Sequence, residues 1–454
     1  MVAQIEKKST RTIPYIQEYP LIGSAFAFMR DRLNLFLRLA QRGDVCGMHF
    51  GTSTFVLFNR PEHIHRICVE LASDTDKGRI MHRAFQPVMS DGLGVFISEG
   101  ELHHRQRKLM APAFQPRQIA SYADVMVEYT EKLQQEWSDG AIIDINQQMT
   151  RVTMSIIGKV LFDADVFTET DELGEAFTII LGYTTHQLSS LFTPPRSWPT
   201  PANRRMLNAT QLLRKRVRQM INERRESNIE RNDFLSILLN ARDEHGDSMS
   251  DDQLMEECLT LFAAGHETTA TALAWTWYLL CQHPDVYQKV QQEVDSVLKG
   301  RAPGYADLAR LPYCLQVFKE VMRLYPPAYA FSREALHDVE IDGYLLPKGY
   351  VAIVAPYTMH RRPEYFPDPE QFNPDRFTPE REKQLPRYAY IPFGAGPRIC
   401  IGNHFAMMEG HLLLATLAQR ATFALLPGQS IEPDPIHHLT LRPGGRVDVV
   451  VKKR

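Results

Sequence analysis

One stretch of the chain gathers the residues best suited to chemistry: Phe393-Gly394-Ala395-Gly396-Pro397-Arg398-Ile399-Cys400-Ile401-Gly402. Two glycines and a proline make a tight loop that presents one thiolate at the start of a helix. There the peptide amides donate to sulfur and the helix dipole favours negative charge. Gly402 lets that helix approach a flat object closely. Arg398 offers a planar fork to a carboxylate such as a haem propionate. The other cysteines, Cys46, Cys68, Cys258, Cys281 and Cys314, form no CxxC pair and read as small buried hydrophobes. Cys400 is therefore the candidate metal ligand. A thiolate held this way is an axial ligand for haem iron that pushes electron density toward O–O cleavage.

Three further groups carry chemical meaning. Glu320 and Arg323, at i and i+3, share one helix face, so a salt bridge is natural. In Ala264-Gly265-His266-Glu267-Thr268-Thr269, a mid-helix glycine followed by threonine is a poor local choice. The Thr268 hydroxyl can bond the Ala264 carbonyl and bend the helix. His103 and Arg107, at i and i+4, face the same way. With the cysteine loop, which reads FxxGxRxCxG, these motifs run in order along nearly the whole chain, and the sequence resembles the cytochrome P450 family. It is similar to the soluble bacterial type, not the anchored microsomal one.

The resemblance implies a haem-thiolate monooxygenase that carries haem b (iron protoporphyrin IX), with Cys400 on the metal. It puts Phe393, Gly402 and Ala264 against the cofactor, and Arg398, Arg107, Arg333 and His103 on its propionates. The family commonly has WxxxR where this chain has His103 and Arg107; histidine can donate to a propionate as an indole does. Thr268 and Glu267 match the family's acid–alcohol pair, which delivers protons to the oxygen site. Glu320 and Arg323 are joined by Arg376, from Asn373-Pro374-Asp375-Arg376-Phe377, as a structural lock behind the haem loop. By family position Phe262, Ala263, Ala328, Tyr329, Phe331 and Leu439 line the substrate pocket, with 439–441 closing it. These are mostly apolar, so the expected substrate is lipophilic: a fatty acid, a terpenoid or a steroid-like molecule. The proline-rich loop Thr193 to Pro201 is its lid.

O2 is the second substrate. Nothing resembling a flavin or iron–sulfur module is present, so electrons are expected from NAD(P)H through a reductase and a separate ferredoxin or flavodoxin. Arg105, Lys108 and Arg117 are a candidate docking patch for that acidic partner. The alternatives are a peroxide-driven peroxygenase, a haem-thiolate isomerase, or a haem-binding sensor or carrier. Glu267-Thr268 argues against all of them, since none needs a proton relay.

The elements that must position these groups follow from pattern. Cys46 to Phe58 alternates and reads as a hairpin around Gly51. Pro61 opens a helix with Ile64, Ile67 and Leu71 at helical spacing. Helical patterns dominate from Glu101 to Tyr325, with long amphipathic stretches at Tyr122 to Trp137 and Met206 to Glu223. Arg214, Lys215, Arg216 and Arg218 read as a solvated helix face. Strands return in Val339 to Leu346, around Asp342-Gly343, and in Tyr350 to Val354. Leu439 to Arg442, a Gly444-Gly445 turn and Val447 to Val451 read as a closing hairpin. The fold class is mainly α (α+β), a helical body with small sheets near both ends of the chain.

The 454 residues are read as one domain, 1–454, with a flexible lead over about 1–12 that precedes Pro14 and Pro20. With 44% hydrophobic and 23% charged residues, a sizeable core is possible and wholesale disorder is excluded. Lysine and arginine number 51 against 54 acidic residues, a balance that gives no support to nucleic-acid binding. No apolar run approaches the ~20 residues of a membrane span, and the polar start lacks the apolar core of a secretion signal. A soluble, cytoplasmic monomer without membrane anchor is expected.

Overall fold

The computed structural model of the chain describes residues 11–16, 23–85, 93–163, 170–190, 194–227, 231 and 233–454. Most of the expected lead, Pro20 and Thr193 lie outside these residues. The body is organised around one helix, Asp251–Gln282, 32 residues long. A capping box starts it: Gln253 N donates to Ser250 Oγ at 3.2 Å, and Ser250 N donates to Gln253 Oε1 at 3.0 Å. Most of its residues are buried on every side, as expected of a helix threaded through a core.

Its main partner is the helix Ile145–Phe162. Gly265 makes their approach possible, because a Cβ there would sit 2.8 Å from Ile157 Cδ1. The second central helix is Asn403–Arg420. It packs tightly on Pro312–Leu324, since a Cβ on Gly410 would meet the Phe318 ring at 2.1 Å. Trp275 fixes the far end of the long helix by stacking on Tyr325, ring centroids 3.9 Å apart.

The two regions of strand meet in one sheet. The expected hairpin is Val45–Phe50 and Ser53–Phe58, turning at Gly51 with φ 59°. Ser53–Phe58 pairs parallel with Val351–Val354, and that strand pairs antiparallel with Phe331–Ala335. A short strand, Thr75–Asp76, completes five. The Asp342-Gly343 turn joins Val339–Ile341 to Tyr344–Leu346, both central residues at positive φ.

The expected closing hairpin is not formed. Arg442–Pro443 pairs with Pro433–Asp434, whereas Asp448–Lys453 lies between Ile142–Asp144 and Ala421–Leu425. The alternating valines of the last strand find two apolar neighbours there, and the 439–442 segment is held against the long helix. Among the described residues no helix is long and apolar enough to cross a membrane.

Candidate active site

The Cys400 loop is built by its glycines. Gly394 and Gly396 take φ of 74° and 70°, a region closed to ordinary side chains. A Cβ on Gly396 would lie 1.9 Å from the Cys68 carbonyl oxygen, so the loop packs on the backbone of the 66–70 turn. A single tight turn, Gly396–Arg398, follows. Cys400 N donates to Phe393 O at 2.9 Å, which closes the loop on Phe393, and the helix Asn403–Arg420 begins three residues later.

Cys400 is the one exposed cysteine of the six; four are buried and Cys281 is half-buried. Yet the surrounding protein pushes its thiol up, while the Gly402 N–H and Arg107 pull it down. Cys400 thus keeps open surface although protein packs closely around its thiol. Two surface clefts, of about 610 and 520 Å³, lie elsewhere, along 211–226 and beside 60–70. They are lined chiefly by charged side chains and contain neither Cys400 nor Thr268.

The long helix carries the second open surface at depth. Ala264 is exposed and Ala263, Gly265 and Thr268 are half-exposed, while the other residues of the helix from Leu254 to Leu280 are buried. Thr268 Oγ1 donates to Ala264 O at 2.9 Å, the bond expected from their spacing. Phe262 departs from expectation. It is 3% exposed and stacks on Phe177 at 4.9 Å. At 100° per residue it lies about 200° around the helix from Ala264, so it belongs to the core and not to an open pocket wall. Ala328 is exposed, and Phe331 and Leu439 are half-buried. The Tyr329 hydroxyl accepts from buried Arg32 at 3.0 Å, and the residue packs against two apolar clusters, one containing Leu35 and Leu39 and the other Leu441.

A cluster of cations stands beside the thiolate. His103 and Arg333 are each 8% exposed. Burial and the neighbouring Arg107, Lys77 and Arg333 push His103 down to about 4, so it is neutral at physiological pH. Burial likewise lowers Arg107, Arg333 and Arg398, the last to about 10. Arg398 donates to Ser98 O at 2.8 Å and pairs with Glu99, but its Nη1 is buried without a partner. Lys77 was not foreseen. Its ammonium lies 3.6 Å over the Phe96 ring and is held well below its ordinary value by burial, Arg333 and Arg398.

Packing so many like charges together is unfavourable unless an anion joins them. Haem fits: its two propionates would satisfy the partnerless Nη1 of Arg398 and offset the charge, and its iron would meet Cys400. Nothing local in Asp76-Lys77-Gly78 sets Lys77 apart from a surface lysine.

Behind the loop, Arg323 and Glu320 are fully buried. Arg323 Nε and Nη2 donate to the two Glu320 oxygens at 2.7 and 2.8 Å. Arg323 also donates to the carbonyls of His360, Pro369 and Gln371. Arg376 Nε lies 3.4 Å from Glu320 Oε1. His360, also unforeseen, extends this lock: its Nε2 accepts from Ile391 N at 2.8 Å, at the start of the cysteine loop. The expected docking patch is largely neutralised. Arg105 pairs with Asp243 at 2.6 Å and Lys108 with Glu244 at 3.0 Å, acidic residues that fold back from 138 and 136 positions along the chain.

A thiolate loop, an open helix face with a threonine over it and a cationic cluster define a haem-thiolate oxygenase. The comparisons make the class specific. The sequence model of the cytochrome P450 family matches residues 13–449; the chain belongs to that family, whose members are monooxygenases carrying haem b. It is 36% identical to cyclooctatin synthase of Streptomyces melanosporofaciens, over 93% of this chain and 92% of that one. Cyclooctat-9-en-7-ol 5-monooxygenase from the same organism is 34% identical, over 91% and 89%. Pentalenene oxygenase of Streptomyces avermitilis is 32% identical, over 91% and 92%. Among solved structures, the retinoic acid bound cyanobacterial CYP120A1 superposes with a TM-score of 0.86 at 27% identity, over 98% of this chain and 100% of that one.

Proposed function

We propose that the protein inserts one oxygen atom from O2 into a cyclic terpenoid, with electrons from NAD(P)H passed on by a ferredoxin or flavodoxin. The balance is RH + O2 + 2e⁻ + 2H⁺ giving ROH + H2O. Bound haem supplies the activation of O2. The chain's own residues do the rest. Cys400 would hold the metal, and Lys77, His103, Arg107, Arg333 and Arg398 would hold the propionates. Thr268 and Glu267 would hold and pass the protons. Ala263, Ala264, Ala328, Phe331 and Leu439 would exclude water from the reacting carbon.

The observation that carries this reading is the open surface at Ala264 and Thr268 in the otherwise buried middle of the long helix. It is apolar apart from one hydroxyl, which suits a hydrocarbon substrate and an oxygen that needs protons. The relatives named for pentalenene and cyclooctat-9-en-7-ol favour a terpenoid over a fatty acid or steroid.

Titration of the haem-loaded protein with pentalenene, cyclooctat-9-en-7-ol, a long-chain fatty acid and a steroid tests the substrate class. The terpenoids should shift the Soret band, by displacing distal water, at the lowest concentrations. A tighter response to the fatty acid or steroid overturns the assignment. Folded, haem-loaded, reduced protein that lacks the red-shifted CO band of thiolate ligation would refute the role of Cys400. Thr268→Ala should divert NADPH to hydrogen peroxide, and normal hydroxylation by that variant removes the proton role.

A further inference from the structure

Glu267 is next to Thr268 in sequence but buried on another face of the long helix. Its carboxylate meets a short segment from the far end of the chain. Thr440 Oγ1 donates to Glu267 Oε1 at 2.8 Å, and Arg442 Nη1 lies 3.6 Å from Oε2. The Thr440 hydroxyl is also 3.2 Å from that of Thr271, one turn along the same helix. His438 on this segment and His266 on the helix are the other titratable groups whose charge couples to Glu267.

The segment is anchored without help from Glu267. Trp275 Nε1 donates to Leu441 O at 2.7 Å, Leu441 N donates to Pro327 O at 3.0 Å, and Arg442 Nη2 donates to Thr150 Oγ1 at 3.3 Å. Thr440 is itself buried. Its hydroxyl is therefore set in place by the backbone around it, and it fixes one carboxylate oxygen while Arg442 faces the other. A group that passes protons is effective only when held at hydrogen-bond reach in one orientation.

We propose that Thr440 and Arg442 are positioning residues for the proton-delivering acid. Thr440 clamps Glu267 and links it to the Thr271 hydroxyl, so the segment expected only to close the substrate pocket also orders the proton path. The proposal rests on Glu267 being that acid. The two protons come from solvent and leave in water, and the electrons come from the redox partner, so the clamp itself is unchanged by turnover.

Thr440→Val removes the hydroxyl at nearly constant shape, and Thr440→Ser returns it. The haem-loaded variants are compared on styrene, scored as epoxide per NADPH oxidised with a surrogate ferredoxin and its reductase. They are then compared with hydrogen peroxide as sole oxidant, which brings its own protons. Thr440→Val should lower epoxide per NADPH roughly ten-fold and raise the solvent deuterium isotope effect. Peroxide-driven epoxidation and the thermal midpoint should stay close to the parent, and Thr440→Ser should restore coupling.

Equal losses in both assays, or a lowered midpoint alone, mark a purely structural role and overturn the proposal. Glu267→Gln is measured alongside. If it uncouples while Thr440→Val does not, the clamp is refuted and the acid stands. If Glu267→Gln stays coupled, both readings fail. Should Thr440→Val not load haem, Arg442→Gln carries the same comparison.

Discussion

Glu409 shows how much one side chain can impose on the protein around it. It is fully buried on the helix that follows Cys400, and neither carboxylate oxygen has a hydrogen-bond partner. Burial raises it from 4.5 to about 8. Below pH 4.5 the group is protonated in both folded and unfolded chains and has no effect. Between 4.5 and 8 the folded protein binds the extra proton, so stability falls as pH rises, by up to about 1.4 kcal/mol per unit, and levels off above 8. Glu409→Gln should therefore raise the urea midpoint far more at pH 8.5 than at pH 5; parallel midpoints at both would show that Glu409 is not protonated in the fold. Gly396 is the opposite case, a residue required by what it lacks. Gly396→Ala places a methyl group on the Cys68 carbonyl at positive φ. It should abolish the thiolate CO band while leaving the helical circular dichroism nearly intact.

At the scale of elements, the approach of helices decides where the open face falls. Gly265 is a poor helix former read alone, but its missing Cβ lets the long helix approach Ile157. Gly265→Ala should cost about 1–3 kcal/mol through overpacking. Adding Ile157→Val should recover part of that, and a double-mutant cycle with no coupling would show that the contact is not what glycine serves. The Glu320–Arg323 pair belongs to this scale too. Sequence spacing makes it an ordinary i, i+3 ion pair, whereas the structure buries it completely and turns its donors onto three carbonyls. Arg323→Met should cost about 3–5 kcal/mol, because it leaves Glu320 charged and buried. Chemical denaturation of the haem-free chain would measure it apart from cofactor loss.

For the whole molecule, the cationic cluster ties stability to the cofactor. Lys77, Arg107, Arg333 and Arg398 come from four separate parts of the chain; burial disfavours the charge on each, and Arg333 and Arg398 further disfavour that of Lys77. Haem should raise the thermal midpoint by linkage. Protoporphyrin dimethyl ester, which keeps the ring and loses both charges, should bind at least about 100-fold more weakly. Equal affinity for acid and ester would remove the propionate assignment. Much of this was legible in the residues themselves. The cysteine loop, the Thr268–Ala264 hydrogen bond, the Asp342-Gly343 turn and the ExxR pair are set by contacts within a few positions, so type and spacing determine them. The tertiary structure alone decided the rest. It turned Phe262 into the core, brought Lys77 to the cationic cluster and His360 to the lock, and split the expected closing hairpin between two sheets. It also masked Arg105 and Lys108 with Asp243 and Glu244, and set Thr440 on Glu267 across 173 residues. Those outcomes depend on which surfaces win the competition for burial when distant segments close on one another, and no local pattern encodes that.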